Sequence, residues 1–221
     1  MEAARPGPRE ADVAPAPEPA GRSAGWTPAD PGPLGLAGFA MTTFVLSMYN
    51  ADLINSGGLL VVLSLALAYG GIAQLLAGMW EFRTGNTFGA VAFSSFGAFW
   101  ISYFILVRII IVPKLIAPNA IDNAVAVYLY GWAIFTTYMF VASLRTTGAV
   151  ALVFFLLAVT FWVLAIGNAS LSGTTKVTNN TIKIGGWIGL ATAVAAWYAS
   201  FAAVTNSTFG RVVLPVMPLR R

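Results

Sequence analysis

Six uninterrupted apolar windows, each long enough to cross a bilayer, run through this chain. They cover about 34–54, 57–80, Phe88 to just before Pro113, 124–143, 148–167 and 184–204. None alternates apolar and polar residues over the ten or so positions of a barrel strand. In lipid the backbone must satisfy its own hydrogen bonds, so the windows are read as helices. Charge supports this: 9% of residues are charged, against about 25% in a soluble domain. So few charges cannot clothe a water-facing surface. The fold expected is an all-α integral membrane protein, a six-transmembrane-helix bundle.

The connections are short, which favours antiparallel neighbours. Asn55-Ser56-Gly57-Gly58 reads as a turn. In Gly85-Asn86-Thr87, Gly can close one helix and Asn or Thr cap the next. Pro113 stops the third span, and Pro118-Asn119 is expected to continue that loop. Residues 1–33 hold eight of the twelve prolines and no apolar signal-peptide core. They read as a disordered Pro/Ala-rich cytoplasmic arm, ahead of a transport domain at 34–205 and a short cytoplasmic tail at 206–221. With six spans both termini share one side. That side carries Arg5, Arg9, Arg22, Arg83, Arg145, Arg211, Arg220 and Arg221, against Arg108, Lys114, Lys176 and Lys183 opposite. The excess places both termini in the cytoplasm.

The chain has no Cys and no His. Disulfides, Cys/His zinc sites, histidine-ligated haem and histidine catalysis are excluded. No nucleophile elbow, zinc-protease motif or phosphate loop is present, so an enzyme is not expected and no cofactor or metal is called for. No basic cluster interleaved with aromatics suggests nucleic acid.

Polar residues inside the spans are the informative ones, because they are costly in lipid. In the second span Gly71, Gln74, Gly78 and Glu81 fall on one helical stripe. That face must meet either a close neighbour or a wet cavity. Gln74 either touches substrate or locks helices together. Glu81 either marks the end of its span or serves as a carboxylate at a pore mouth. Small-residue stripes at Ala90, Ser94 and Gly97, and at Gly186, Gly189, Ala193, Ala196 and Ser200, read as close helix packing.

Ordered blocks along the chain then resemble one family. They begin at Asp30-Pro31-Gly32-Pro33-Leu34-Gly35-Leu36 and Tyr69-Gly70-Gly71-Ile72-Ala73-Gln74, with Ala77-Gly78 and Glu81 beyond. They continue through Gly85-Asn86-Thr87-Phe88-Gly89, Ser95-Phe96-Gly97-Ala98-Phe99-Trp100 and Ala165-Ile166-Gly167-Asn168 to Phe209-Gly210-Arg211. The chain resembles the acetate uptake transporter family (GPR1/FUN34/YaaH, succinate-acetate permease-like) from about Asp30 to Pro215. The resemblance implies a homohexamer in the plasma membrane with one pore per protomer. It implies passage of acetate, and of other short carboxylates such as succinate, by proton symport or as an anion channel. The alternative it leaves is a sensing or ammonium-linked protein with little acetate flux. By motif position it implies a pore constriction of Phe39, Phe96 and Leu157. Thr42, Thr43, Gln74 and Ala196 stand as substrate-path or selectivity candidates, and Asp30, Glu81 and Asn86 as mouth candidates. Two positions depart from the family pattern: Asp30 replaces the usual Asn, and Phe96 stands where Tyr is frequent.

Overall fold

The computed structural model describes residues 26, 28–55, 57–113, 115, 118–171 and 179–219. It contains six long helices: α1 (Gly32–Asn50), α2 (Gly58–Thr84), α3 (Thr87–Ile111), α4 (Pro118–Ser143), α5 (Gly148–Ala169) and α6 (Asn180–Phe209). All six contain a stretch apolar enough to cross a membrane. The described part of α1 begins, and that of α6 ends, at the same end of the bundle, as an even number of crossings requires. Of the arm expected to be disordered at 1–33, residues 1–25 and 27 lie outside the described residues, as do Arg5, Arg9, Arg22, Lys114, Lys176, Arg220 and Arg221 from the charge count.

Helix boundaries follow side-chain chemistry more than apolarity. Asp30 Oδ1 accepts from the Gly32 amide at 2.8 Å, and Pro33, lacking an amide hydrogen, sits harmlessly in the first turn of α1. Gly85 closes α2 in the left-handed region, φ 79°, where a Cβ is penalised. Asn86 caps α3 through Gly89, and Thr147 caps α5 through Val150. Asn179 accepts from both Thr181 and Ile182, so α6 starts before its apolar window and runs on to Gly210. Pro118-Asn119 opens α4 rather than continuing the loop. A proline at the first helical position costs no hydrogen bond, which is why the loop signal misleads there. α1 thus begins at Gly32 and α6 ends at Phe209.

Two helices carry a wide π turn: Ala68–Ala73 in α2 and Leu106–Ile111 in α3. The first holds Gly70 and Gly71, both buried. Helix α1 lies along α6 and against the middle of α2, α2 lies on α3, and α5 is flanked by α4 and α6. The approaches are close because of the small-residue stripes. A Cβ on Gly78 of α2 would strike the backbone of Ser94 in α3, and one on Gly97 would lie 2.6 Å from the Leu75 amide. A Cβ on Gly186 of α6 would strike Ala51 at the end of α1. Ser200 of α6 donates to the Pro33 carbonyl at 2.7 Å. All four members of the second-span stripe, Gly71, Gln74, Gly78 and Glu81, are buried.

Gly78→Ala should therefore lower the thermal unfolding midpoint in detergent, because overpacking costs about 1–3 kcal/mol. Gly131 faces open space. Gly131→Ala should leave the midpoint unchanged or raise it, since Ala is the better helix former by about 0.5–1 kcal/mol.

Candidate functional site

Three cavities lie in series along the bundle. At the end holding Asp30 is a vestibule of about 670 Å³. A neck of about 20 Å³ follows, then a cavity of about 70 Å³ at the end away from Asp30, named the outer cavity for its distance from the vestibule. Leu36, Ala92, Phe93 and Phe154 line both vestibule and neck. Phe39 and Leu157 line both neck and outer cavity. A water needs roughly 10–15 Å³ by this measure, so the neck has room for little more than one.

The neck is aromatic. Phe96 projects from α3 and is 2% exposed. Its ring centroid lies 5.9 Å from Phe39, 5.4 Å from Phe135 and 6.1 Å from Phe154, and it stacks on Phe161 at 6.4 Å. Phe39, Phe96 and Leu157 line the neck together. Gln74 joins them, with its Oε1 buried and unpaired. Phe93, Phe154 and Val153 complete the wall. Nothing in the sequence singles these three out, because an aromatic or branched residue on an apolar helix looks the same facing lipid or lumen.

The vestibule gathers the three mouth candidates Asp30, Glu81 and Asn86. Glu81, three residues before the end of α2, is 2% exposed and lines the vestibule. Thr84 donates to its Oε2 at 3.1 Å, and the Asn86 side chain hydrogen-bonds it. Its Oε1 occupies space that Gly89 leaves free, since a Cβ there would come within 2.6 Å. Asp30 spends one oxygen on the first amide of α1. Among the described residues, no Lys or Arg lines the three cavities.

Part of the stretch after α6 lines the vestibule. Asn206 accepts from the amides of Val213 and Leu214 and donates to the Leu214 carbonyl. Tyr198 donates to the Pro215 carbonyl at 2.7 Å. The Gly148 amide donates to Met217 at 2.7 Å and the Ala149 amide to Val216 at 3.2 Å, so the segment satisfies the open N-terminus of α5. Val216 and Pro218 then face the vestibule.

Two candidates lie off the cavities. The Thr42 hydroxyl donates to the Gly38 carbonyl at 2.9 Å, and its side chain packs against Gly70. Ala196 is buried in the apolar core. Thr43, by contrast, lines the outer cavity with Ser47, Asn50, Trp100, Tyr103, Tyr128, Thr160 and Asn168. At the same end Lys183 holds Asp52 at 2.7 Å, tying α6 to the turn after α1. Asp52 adopts a left-handed conformation, φ 62°, to make that reach.

The model of the GPR1/FUN34/yaaH family matches residues 16–221. The chain belongs to that family. It is 43% identical over 191 residues to the succinate-acetate/proton symporter SatP of Escherichia coli, covering 85% of this chain and 95% of that one. It is 42% identical over 195 residues to acetate permease A of Emericella nidulans, covering 85% of this chain and 65% of that longer one. The solved structure of the bacterial acetate channel SatP superposes with a TM-score of 0.76 at 40% identity. That superposition covers 86% of this chain and 99% of the other.

The absence of native cysteine makes the path directly testable. Single cysteines at Ala203, on the vestibule, and Asn50, on the outer cavity, should react with a membrane-impermeant charged thiol reagent from opposite faces of a vesicle. Labelling of both from one face would mean the neck is not the barrier.

Proposed function

We propose that this protein carries acetate, and other short carboxylates such as succinate, across the plasma membrane through the path just described. The carrying observation is the in-line arrangement of vestibule, Phe39–Phe96–Leu157 neck and outer cavity, in a chain whose relatives are a succinate-acetate/proton symporter and an acetate channel. Both termini face the cytoplasm, so the vestibule is the inner mouth. The protomers assemble as a hexamer, each with its own pore. Six helices with this much exposed apolar side chain, such as Val127, Ile134, Val141, Trp187 and Phe201, present ample surface both to lipid and to neighbouring copies.

The neck supports selection by size and polarity. A passing solute must shed most of its water there, and it finds rings in place of donors. Shedding water is cheap for a methyl group and costly for a carboxylate. A two-carbon acid has little else to strip and little else to fit. Phe96 offers no hydroxyl, so polar recognition falls to Gln74 and to groups on either side of the neck. Asp30 keeps its capping role from a position where the family has Asn, because either side chain can accept an amide proton.

Uptake of labelled acetate into proteoliposomes tests the activity itself; flux at background level at every pH would overturn it. Leu157→Ala should widen the neck and raise lactate flux relative to acetate by roughly tenfold, the scale set by filling or emptying a few methylenes. An unchanged ratio would remove Leu157 from the pore lining.

A further inference from the structure

Residues 211–219 form a strap that returns from the end of α6 to the start of α5, and α5 fixes its depth in the bilayer. That helix has 22 residues, none of them charged, and a mean hydropathy of 2.8 over its most apolar window. At 1.5 Å per residue it is about 33 Å long, close to the roughly 30 Å of a hydrocarbon core. Its first residue, Gly148, therefore lies at the edge of that core. The Met217 carbonyl accepts from the Gly148 amide at 2.7 Å, and the Leu219 amide donates to the Thr146 carbonyl at 3.0 Å. This part of the strap lies at the same depth. Helix α6 has 30 residues, about 45 Å, and so exceeds the core by about 15 Å. From its end the strap descends through the headgroup layer to the hydrocarbon edge.

The two sides of the strap differ. Leu214 and Val216 are half-buried, and Val216 and Pro218 line the vestibule. On the other side Val212 is 77% and Met217 64% exposed, and Phe209, at the last position of α6, is 64% exposed. Exposed apolar side chains on the spanning helices face lipid tails or other protein; these lie beyond the helices, at headgroup level. Charge joins them there. Residues 209–221 include Arg211, Arg220 and Arg221 and no Asp or Glu. Arg211 is exposed and has no acidic partner among the described residues. Apolar side chains that insert between headgroups, mixed with Arg that attracts phosphate, are the combination that binds an anionic membrane surface.

We propose that the outward side of this strap, Phe209, Val212 and Met217 together with Arg211, is a docking surface for anionic phospholipid headgroups of the surrounding bilayer. The occupant is a lipid and not free phosphate, because apolar side chains flank the charge at the depth where acyl chains begin. The strap is held to α5 through backbone hydrogen bonds at Thr146, Gly148 and Ala149. Its inward side lines the vestibule. Lipid that holds the outward side therefore also holds part of the vestibule rim. The inference does not depend on which solute the path carries.

The experiment uses the full chain with Met217→Cys, which carries the sole thiol and takes a fluorophore there. The protein is reconstituted in phosphatidylcholine vesicles containing about one third phosphatidylglycerol, an anionic surface. A nitroxide near the headgroup should quench the fluorophore more than one deep in the acyl chain. With the nitroxide on one lipid class at a time, phosphatidylglycerol should be preferred over phosphatidylcholine by roughly fivefold, the scale of one Arg at an anionic surface. Salt at about 1 M, where the Debye length is about 3 Å, should erase the preference. Combined Arg211→Gln, Arg220→Gln and Arg221→Gln should erase it too. Val212→Cys repeats the measurement if Met217→Cys does not fold. No quenching by lipid, stronger quenching from the deep nitroxide, equal quenching by the two lipid classes, or a preference that survives high salt or the triple replacement would overturn the docking surface. Disulfide cross-linking of Met217→Cys between two copies, in place of quenching, would overturn it in favour of a second protomer. Acetate flux enters none of these readouts, so failure here is distinct from failure of the transport reading.

Discussion

Backbone proximity between helices is the constraint on which the rest depends. In lipid the helices gain little from burying apolar surface against one another, so association rests on close van der Waals contact. Here that contact is made where side chains are missing. Gly78 lies against Ser94, Gly97 against Leu75, Gly186 against Ala51, and Gly38 meets the Tyr69 carbonyl. Drawing α1, α2, α3 and α6 together in this way leaves the central space so narrow that a handful of rings can fill it. The neck is thus a by-product of packing: Phe39, Phe96 and Phe154 close a gap whose width the glycines set.

The path is also asymmetric in its chemistry. Among the described residues, the vestibule carries two carboxylates and a rim of amides and hydroxyls, and the outer cavity carries several hydrogen-bonding groups and no charge. An aromatic neck divides them. A solute moving through meets acidic groups on one side and, among the described residues, uncharged hydrogen-bonding groups on the other. Such a division favours species that can shed charge by binding a proton, and it works against inorganic ions that cannot.

Much of this was legible in the sequence, and the reasons for success and failure are physical. Spans were legible because apolar length is a direct consequence of bilayer thickness. Gly85 and Asn86 were legible because a left-handed closing residue and a side-chain cap have few chemical solutions. The stripe Gly71, Gln74, Gly78 and Glu81 was legible because polar atoms in lipid demand a buried face. Asp52 and Lys183 were not, since 131 positions separate the two and no local pattern links them. Phe93 and Phe154 were hidden among many equivalent rings. Thr42 and Thr43 are adjacent and differ in direction by about 100°, and only the fold shows which of them faces the cavity. Asn168 sat in a matched block without an assigned role, and only the fold shows that it lines the outer cavity.

The wide turn at Ala68–Ala73 has a consequence for how α2 is built. Val62, Ala66, Gly70, Gln74 and Gly78 are all buried, and they recur every four residues. On a regular helix a four-residue spacing drifts by about 40° at each step, so the fifth member would point well away from the first. The π turn takes more residues to complete a circuit and absorbs part of that drift. It works as a phase corrector, keeping one wall of a 27-residue helix aimed at the same neighbours from end to end. The two glycines within it hold the aim of Gln74 and Glu81, which lie one and three turns further along.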